Sequence, residues 1–387
     1  MKHVLLVADQ CTGCMSCMNS CPKKAIYETK DDWGFYYPAI DETLCIDCGK
    51  CTTVCPVLKK NQNATDQRQK AYYGSVLASE IVKESSSGGA FSFMADYVLG
   101  RGGLVCGAMF DYDCMEVVYS TTDSCSLDAL RKSKYVASAP RYIFEKIKVE
   151  LNKGRLVLFC GLPCHVDGLK SFCAKDYENL IVCDFICGGV ASPRFFKEHI
   201  SKLEKKYKSK ASNVNFRAKI NGWQEHSIKV EFSNGKKYTR IATYDSFFQG
   251  YFEKRYQRDS CYQCKYRLCH ESDIIIADYW GGIPKGRANN AGTSMIITNS
   301  KKGNEFFSNV LNAGNHAFHE MPVSDSDYVI KTESERYGKA YKTKRPFMEL
   351  YQKYGFEKAV SKSYFKGLWK QKLKRQIYKL YKSIKKK

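Results

Sequence analysis

The sequence lacks any run of about 18 consecutive apolar residues, the length that a helix needs to cross a bilayer. Its first nine residues, MKHVLLVAD, contain one short apolar run and no cleavage site for a secretory leader, so we interpret this run as the first strand of an N-terminal domain. Both observations predict a cytoplasmic protein. The 19 cysteines fit that location, because disulfides are rare in a reducing cytosol.

Acidic residues are absent from residues 361–387, where eleven Lys or Arg residues supply half of the formal net charge of +22. Apolar residues recur there at spacings of three and four, which predicts a basic amphipathic helix within a helical tail at 331–387. Such a helix either attaches to anionic lipid at the inner face of the membrane or packs on the rest of the protein. Because the remaining chain is only mildly basic, we expect no nucleic-acid partner.

Two cysteine runs near the N-terminus repeat the spacing C-x2-C-x2-C-x3-C-P. Bacterial two-cluster ferredoxins have this spacing, and in them the fourth cysteine of each run ligates the cluster of the other run. We therefore assign one 4Fe-4S cluster to Cys11, Cys14, Cys17 and Cys55, and the second to Cys21, Cys45, Cys48 and Cys51. Zinc sites or a disulfide scaffold are the alternative, but four-cysteine zinc sites pair two C-x2-4-C units instead.

The length of 387 residues and the 44% hydrophobic content predict two or three domains with substantial cores. The predicted fold class is α/β (α+β), with a two-cluster ferredoxin domain at 1–60. An α/β body follows, with an N-terminal part at 61–155 and a C-terminal part at 156–330, before the basic helical tail.

Within the body, short apolar runs predict strands and one amphipathic stretch predicts a helix. The predicted strands are at 71–78, 104–110, 156–159 and 180–185. Residues 90–99 form the predicted helix, and the loop at 85–89 before it is either an ordinary helix cap or a phosphate cradle. The pair Asn234-Gly235 between two alternating segments predicts a hairpin.

The body holds more cysteines, several of them at the ends of predicted strands. A third 4Fe-4S cluster needs four thiolates, and two strand ends with one C-x2-C loop offer them as Cys164, Cys187, Cys261 and Cys264. The alternative is that these residues are small buried apolar side chains, the usual state of a free cysteine. We expect that state for Cys106, Cys114, Cys125 and Cys173, and we leave Cys160, Cys183 and Cys269 open.

Six short motifs follow one another between about residues 70 and 330. They are Ser87-Gly88-Gly89, KSKYVAS at 132–138, Gly161-Leu162-Pro163-Cys164, CDFICGG at 183–189, the pair Cys261 and Cys264, and SDI at 272–274 leading to ADYWG at 277–281. In this order they resemble the beta subunit family of the coenzyme F-420-reducing hydrogenases and dehydrogenases. Many bacterial members of that family carry an N-terminal dicluster ferredoxin. The chain differs at Gly188, where relatives often have histidine, and at Ala277, where they have glycine, so we assign no catalytic residue.

The resemblance implies an FAD at the edge of the α/β domain, beside a 4Fe-4S cluster. The candidate cofactor contacts are Ser87, Gly88, Gly89, Lys134, Ser138, Gly161 and Pro163. Among them, a lysine at position 134 would stabilise an anionic reduced flavin ring or the pyrophosphate.

Clusters move one electron at a time and hydride-type reductions need two, so a flavin between them makes chemical sense. We expect an FAD- and iron-sulfur-dependent oxidoreductase that takes electrons from reduced ferredoxin or another redox protein. The acceptor would be a small molecule, and relatives suggest a role in cell-surface polysaccharide synthesis. The alternatives are an electron-transfer subunit of a larger complex without a substrate of its own, or a redox sensor that acts through the basic tail. The sequence leaves open the substrate, the direction of electron flow and the choice between FAD and FMN.

Overall fold

The computed structural model of the protein describes residues 8–59, 68–280, 290–335 and 341–363. Within these ranges the strands form three sheets, of two, three and nine strands. The strand predicted near the N-terminus, the domain boundary at 60/61 and most of the predicted basic helix lie outside the described residues. Among the described helices, none combines the length and the hydropathy that crossing a bilayer requires.

The N-terminal domain packs two short helices against an antiparallel hairpin. Helix α1 (Ser16–Ser20) and helix α2 (Lys50–Thr53) each begin inside a cysteine run. Strands β1 (Ile26–Lys30) and β2 (Tyr36–Ile40) lie between them in the chain and pair with each other. Buried side chains of the hairpin and of α1 form a small apolar core.

The body contains all the remaining described strands. In chain order they are β3 (Lys70–Val76), β4 (Leu104–Asp111), β5 (Glu116–Thr121), β6 (Ser138–Ala139), β7 (Val157–Cys160), β8 (Leu180–Phe185), β9 (Ala211–Ala218), β10 (Ser227–Phe232), β11 (Lys237–Ile241), β12 (Ile274–Asp278), β13 (Ser294–Thr298) and β14 (His316–Met321). The four predicted strands of the body are confirmed as β3, β4, β7 and β8, with ends that differ by at most two residues.

The nine-stranded sheet has the order β14-β3-β13-β12-β8-β7-β4-β5-β6. Strands β4, β7, β8 and β12 pair in parallel, and β3 runs in the same direction because both it and β12 are antiparallel to β13, which lies between them. The loops that follow these five strands therefore leave the sheet at one edge, which we call the C-terminal edge. Strands from both sides of residue 155 belong to this sheet, so the two predicted parts of the body share it.

Helices cover both faces of the large sheet. The described helices of the body are α3 (Ser79–Lys83), α4 (Ala90–Leu99), α5 (Leu127–Leu130), α6 (Ile143–Asn152), α7 (Pro163–Cys173), α8 (Pro193–Tyr207), α9 (Ser246–Phe252), α10 (Asp259–Tyr262), α11 (Lys301–Asn312), α12 (Asp327–Glu335) and α13 (Tyr341–Tyr354). Helices α4 and α11 bury Val105, Leu158 and Ile181 on one face, while α6 and α7 bury Val157 and Phe159 on the other. Burial on both faces explains why these strands are continuous apolar runs.

The three-stranded sheet has the order β11-β10-β9 and stands beside the large one. Strands β10 and β11 form the predicted hairpin, and Gly235 in its turn has φ 79°, a left-handed conformation that glycine adopts without strain. The inner side of this sheet packs against α8, α9 and α13 in one apolar core.

Candidate functional site

The first cysteine run turns its thiols inward around α1. Gly13 (φ 70°) and Met15 (φ 57°) have left-handed backbone conformations. A Cβ on Gly13 would lie 2.9 Å from the Tyr36 carbonyl oxygen, so glycine is needed where the loop passes strand β2. Burial raises the pKa of the Cys14 thiol to about 12 and that of Cys17 well above its ordinary value.

The last cysteine of the second run joins the first three cysteines of the first run. We call Cys11, Cys14, Cys17 and Cys55 the inner thiol set. After the larger effect of burial, the nearby Cys11 and Cys55 further raise the pKa of Cys14 and of Cys17. The structure therefore brings together the four side chains that the crossed spacing assigns to one cluster, and their role as ligands stays a prediction.

The remaining N-terminal cysteines, Cys21, Cys45, Cys48 and Cys51, form the outer thiol set. Cys48 is exposed, and the other three are partly exposed. Cys21 and Cys51 pack at the edge of the same apolar core, and burial, with a smaller contribution from Cys48, raises the pKa of Cys51. The apolar side chains of Leu44 and Ile46, which flank Cys45, are 50% and 58% exposed. The outer thiol set thus faces solvent.

A third group of thiols lies where the loops of the C-terminal edge meet α10. Cys164 lies in the first turn of α7, whose N-terminus is fixed by Pro163, and Cys187 follows β8. Cys261 is in α10, and Cys264 comes two residues after that helix. We call these four the body thiol set.

The members of the body thiol set are partly buried and lie close together. Burial raises the pKa of Cys164 well above its ordinary value, and Cys264, Cys187 and Cys261 raise it further. Burial also raises the pKa of Cys264 to about 11, with Cys261 adding to the effect. The structure therefore brings together the four cysteines that the sequence offered for a third cluster, and the cluster itself stays a prediction.

Three side chains hold the loop that carries Cys187. The Gly188 carbonyl oxygen accepts hydrogen bonds from Lys254 Nζ at 2.7 Å, from Gln257 Nε2 at 3.0 Å and from the Tyr251 hydroxyl at 3.2 Å. The backbone carbonyl of Gly188 is thus the group that the surrounding residues recognise.

Gly168 lets the inner thiol set approach the body closely. A Cβ at this position in α7 would lie 2.8 Å from Cys14 Cβ and 3.0 Å from Cys14 Sγ. Cys164 lies one helical turn before Gly168 and therefore on the same face of α7. The Cys14 thiol is close enough to Cys164 to raise the pKa of Cys164. The inner and body thiol sets are thus neighbours across a single helix face.

Arg258 bridges the same two sets with a buried positive charge. Its guanidinium donates to the carbonyl oxygens of Tyr36 at 2.9 Å and Cys11 at 3.4 Å, and it lies over the Tyr37 ring at 4.6 Å. Although burial raises the pKa values of Cys11 and Cys261, the Arg258 charge acts in the opposite direction on both. It therefore favours thiolates, the form of cysteine that binds metal.

The spacing of the thiols bears on which metal they fit. Among the described residues, no three His, Cys, Asp or Glu side chains converge closely enough to hold a single metal ion. A cube takes one thiolate at each of its four irons, so its ligands stand further apart than those of one ion. All 19 cysteines are free thiols. The assignment of the thiol sets to cubes stays a prediction from their spacing in the sequence.

The other cysteines of the body lie apart from these sets. Cys106 and Cys173 are buried, as expected, whereas Cys114 and Cys125 are partly exposed. Among the three left open, Cys183 is buried on β8 opposite Cys160 of β7, and Cys269 is partly exposed.

The predicted flavin contacts fall into two groups at the C-terminal edge. In the first, Ser87 Oγ donates to the Thr293 carbonyl at 2.7 Å, and the Gly88 N–H donates to Ser294 Oγ at 2.9 Å. A Cβ on Gly88 would lie 2.3 Å from the Gly74 carbonyl oxygen, and Gly89 has φ 94°. The loop is clamped to strands β3 and β13, and two of its donors are engaged within the protein.

Lys134 lies next to this loop, since Ser86 Oγ accepts a hydrogen bond from the Ser133 N–H at 2.7 Å. Its ammonium donates to the carbonyl oxygens of Ala108, Ala129, Leu130 and Arg131 at 2.6 to 3.1 Å. Burial lowers the pKa of Lys134 to about 7. The side chain therefore closes the end of α5, and its assignment as a flavin contact stays a prediction.

Ser138, Gly161 and Pro163 form the second group, around the buried hydroxyl of Tyr119. That hydroxyl accepts from the Leu162 N–H at 3.2 Å and lies 2.7 Å from the position of a Cβ on Gly161. Ser138 is buried. This group supports the turn from β7 into α7 and thereby the position of Cys164.

A charged cluster that the sequence did not single out as a unit lies beside the first group. Arg217 on β9 forms an ion pair with Asp278 at the end of β12, and Trp223 Nε1 donates to the same carboxylate at 2.9 Å. The Trp223 and Trp280 rings stack at 4.2 Å. We call these four residues the Arg217 cluster. Arg217 and Asp278 are 61 positions apart, so no local pattern could pair them.

Family models match both parts of the chain. Residues 154–323 match the model for the C-terminal region of the beta subunit of coenzyme F420 hydrogenase/dehydrogenase, and residues 10–58 and 37–87 match models of 4Fe-4S dicluster domains. The match to the beta-subunit model covers the larger part of the predicted range from 70 to 330. The fold class and the resemblance predicted from the motifs are thereby confirmed.

Single proteins are also similar to this chain. It is 43% identical over 54 residues to a 7Fe ferredoxin of Hydrogenibacillus schlegelii, which is 13% of this chain and 63% of that protein. It is 38% identical over 54 residues to an uncharacterized ferredoxin of Methanocaldococcus jannaschii, 14% of this chain and 69% of the other. A solved chain of the F420-reducing [NiFe] hydrogenase complex from Methanosarcina barkeri aligns at 16% identity and a TM-score of 0.47, covering 76% of this chain and 96% of that one.

Proposed function

We propose that this protein is an iron-sulfur flavoenzyme, because residues 154–323 match the coenzyme F420 hydrogenase/dehydrogenase beta-subunit family and residues 10–58 match a 4Fe-4S dicluster domain. It takes electrons from reduced ferredoxin or another redox protein and reduces a small organic acceptor. Iron-sulfur clusters supply one-electron transfer, and a bound flavin, which we propose is FAD, converts between one-electron and two-electron chemistry.

The contact between Cys14 and α7 is the observation that carries this proposal. Gly168 leaves room for Cys14 on the helix face that also bears Cys164. Electron transfer slows steeply with distance, and a side chain between the inner and body thiol sets would separate them. A chain whose two parts worked independently would have no need of so close an approach between them.

Exposure supports an order for the three thiol sets. The outer set faces solvent, where a donor protein can reach it, while most of the inner set is buried between the outer set and the body. The body set lies at the C-terminal edge of the sheet, where α/β proteins bind their ligands. The proposed route therefore enters at the outer set and ends at an acceptor near the body set.

The cofactor inventory of anaerobically purified protein tests the proposal. We expect about 12 irons per chain, four for each cube, and one flavin that chromatography identifies as FAD or FMN. A value of about eight irons with flavin would remove the third cluster alone. Protein that contains iron but no flavin would contradict the enzymatic proposal.

A pair of variants on one helix sharpens that test. Cys164→Ala removes a member of the body thiol set and is expected to lose about four irons. Cys173→Ala lies on the same helix at a buried position and is expected to keep the iron content of the wild type. Equal iron content in the two variants would show that Cys164 is not a ligand.

An electron-transfer subunit without its own substrate is the second candidate, favoured by one observation. Leu44 and Ile46 expose apolar surface beside Cys45, as a docking surface for a larger protein would. Purified protein with reduced viologen distinguishes the two candidates. A free-standing reductase turns over an artificial acceptor alone, whereas a subunit reduces substrate only with its partner.

Two further proposals rest on the sequence alone. The basic segment at 361–387 attaches a cytoplasmic protein to the inner face of the membrane, which liposome flotation of the full chain and of a chain truncated at 360 would test. A role in cell-surface polysaccharide synthesis comes from the resemblance. Deletion of the gene is expected to alter surface polysaccharide, and restoring a Cys55→Ala variant is expected not to repair it.

A further inference from the structure

We propose that the Arg217 cluster is a binding site for a ligand that carries a phosphate or carboxylate group. The site is apart from the three thiol sets and lies beside the loop of Ser87, one of the predicted flavin contacts. Buried hydrogen-bond donors without partners among the described residues mark the site.

Two nitrogens of the Arg217 guanidinium make no hydrogen bond to the described residues, although the Tyr135 hydroxyl lies near the group. Nη1 faces the Asp278 carboxylate, whereas Nε and Nη2 have no hydrogen-bond partner among the described residues. Arg217 is 5% exposed, so water does not replace those partners readily. Buried donors in native proteins are nearly always paired, and unpaired ones call for an unseen ligand or water. The Nε and Nη2 edge is the fork that binds two oxygens of a carboxylate or phosphate.

The surroundings favour an anion. Lys219, two residues along β9 from Arg217, places its ammonium on the carbonyl oxygens of Val82 and Ser87 at 2.6 Å each. His226 Nε2 is a second buried nitrogen without a partner among the described residues. Burial and the Arg217 charge lower the pKa of His226 to about 4, so it is neutral at pH 7. Asp278 is the acid that faces Arg217, and its charge is shared with Trp223 Nε1.

The loop at 85–89 offers less for the same purpose. The sequence presented it as either an ordinary helix cap or a phosphate cradle, and its Ser87 hydroxyl and Gly88 N–H already bind Thr293 and Ser294. Lys219 ties this loop to β9 through the Ser87 carbonyl. The loop therefore forms a wall beside the Arg217 cluster, and the unpaired donors belong to the cluster.

The cluster also has an aromatic surface. Trp223 is buried and stacks on Trp280 with only 7° between the ring planes, and the Arg217 guanidinium lies 5.7 Å from the Trp280 ring. A flat stacked pair beside a cation suits a ligand that has both a ring and an acid group.

Its position suits a ligand that exchanges electrons with the body thiol set. Tyr135, whose hydroxyl lies beside Arg217, packs on Tyr251 with ring centroids 5.0 Å apart. The Tyr251 hydroxyl donates to the Gly189 carbonyl at 3.1 Å, two residues after Cys187. Two rings therefore connect the cluster to the loop of Cys187.

Calorimetric titration of the anaerobically purified full chain, freed of bound flavin, tests the site. The probes are riboflavin, FMN, FAD, inorganic phosphate and acetate. We expect Arg217→Gln to weaken the binding of acid-bearing probes about tenfold to a hundredfold, as for the loss of a charged hydrogen-bonding pair, and to leave riboflavin within about twofold. Arg240→Gln, on the exposed side of the same small sheet, is the control and is expected to change none of the five.

The pattern of loss identifies the ligand. If FMN and FAD lose affinity and riboflavin does not, the acid group is the flavin phosphate. If all flavins bind normally and phosphate or acetate loses affinity, the group belongs to the acceptor. A folded Arg217→Gln protein that binds all five probes like the wild type would overturn the proposal, as would a wild type that binds none of them.

Arg217→Lys keeps the test valid if the glutamine variant does not fold. Lysine keeps the charge opposite Asp278 but lacks the planar fork, so the same probes are expected to bind more weakly than in the wild type. Iron content and circular dichroism identify folded protein. Binding by this variant that equals the wild type for every probe would also overturn the proposal.

Discussion

The inner and outer thiol sets come from one repeated spacing but lie in different surroundings. Every residue of α1 is buried, whereas none of α2 is. The composition explains the difference, because Met15 and Met18 in the first run stand where the second run has Gly49 and Thr52, and Lys50 replaces Ser16. The spacing thus determines which thiols come together, and the residues between the cysteines determine which set contacts the body.

The largest expected effect comes from replacing the fourth cysteine of either run, because each is predicted to ligate the cluster of the other run. Cys55 is the last cysteine of the second run in the sequence, but in space it lies with the inner thiol set. We expect Cys55→Ala to remove the inner cluster, about four irons, and to lower electron transfer from reduced ferredoxin to a body-bound acceptor at least about a hundredfold. Cys21→Ala is the matched variant and is expected to remove the outer cluster.

A water-soluble iron chelator distinguishes the two variants, because each keeps a different cluster. The cluster left in Cys55→Ala would be the exposed one and lose iron fast, and that left in Cys21→Ala would be the buried one and lose iron slowly. The reverse order would contradict the crossing.

The contact at Gly168 gives the next largest effect. Gly168→Ala places a Cβ 2.8 Å from Cys14 Cβ, so α1 or α7 must move. We expect the iron content to remain and electron transfer from the inner to the body set to slow about tenfold, measured by freeze-quench EPR. Gly107→Ala in β4 is the control, since its nearest neighbour would be 3.6 Å away. An unchanged rate in Gly168→Ala would show that the contact is incidental.

Removing the Arg258 charge is expected to act on the inner and body sets and to spare the outer one. A nearby cation stabilises the more negative, reduced form of a cluster. Arg258→Gln should therefore lower two of the three midpoint potentials by on the order of tens of millivolts. Arg258→Lys, which keeps the charge, should lower them less. Potentiometric EPR titration measures the three midpoint potentials. An equal shift in all three would show that Arg258 has no local effect on the inner and body sets.

The smallest expected effect comes from His199, which lies away from the inner and outer thiol sets. Asp245, 3.1 Å from His199 Nε2, and Glu357 raise the pKa of His199 to about 9, although burial acts in the opposite direction. Because the pKa of His199 is raised, its protonated form stabilises the fold. This contribution is fully present at pH values below the ordinary histidine pKa of about 6.5, and it disappears as the pH rises through about 9. We expect the unfolding free energy to fall by about 1 to 3 kcal/mol between pH 6 and 10.

Denaturant unfolding at the two pH values measures that loss. His199→Gln should reduce the pH dependence, and His319→Gln, at an exposed position, should retain it. If the loss of stability also changed which cluster a chelator strips first, the contrast between inner and outer sets would reflect global stability and not local burial.

The local patterns of the sequence were sufficient for much of the fold. Apolar runs such as 180–185 and the Asn234-Gly235 turn depend on neighbours in the chain, and the structure has a strand and a hairpin there. The body thiol set could also be predicted from the sequence. Strands β7 and β8 are parallel, so the residues that follow them, Cys164 and Cys187, lie at one edge of the sheet. These are features that short-range rules describe well.

Short-range rules could not predict the partners of the buried charged residues. Lys134 was predicted as a cofactor contact from its motif, and no local pattern indicated the four backbone carbonyls that surround its ammonium. Arg217 lies on β9, but its burial depends on Asp278 and the Trp223 ring, which come from other parts of the chain. Partners that meet only after the sheets assemble leave no local pattern in the sequence.

The glycine at position 168 also has a consequence for synthesis on the ribosome. Cys14 is made 154 residues before the helix face that covers it, which at typical rates of protein synthesis is an interval of about 8 to 30 s. During this interval the first cysteine run has no body to pack against. The assembly machinery therefore has access to a site that is closed in the finished protein, and a cluster lost later would have to be replaced through an opening of the α1 and α7 contact.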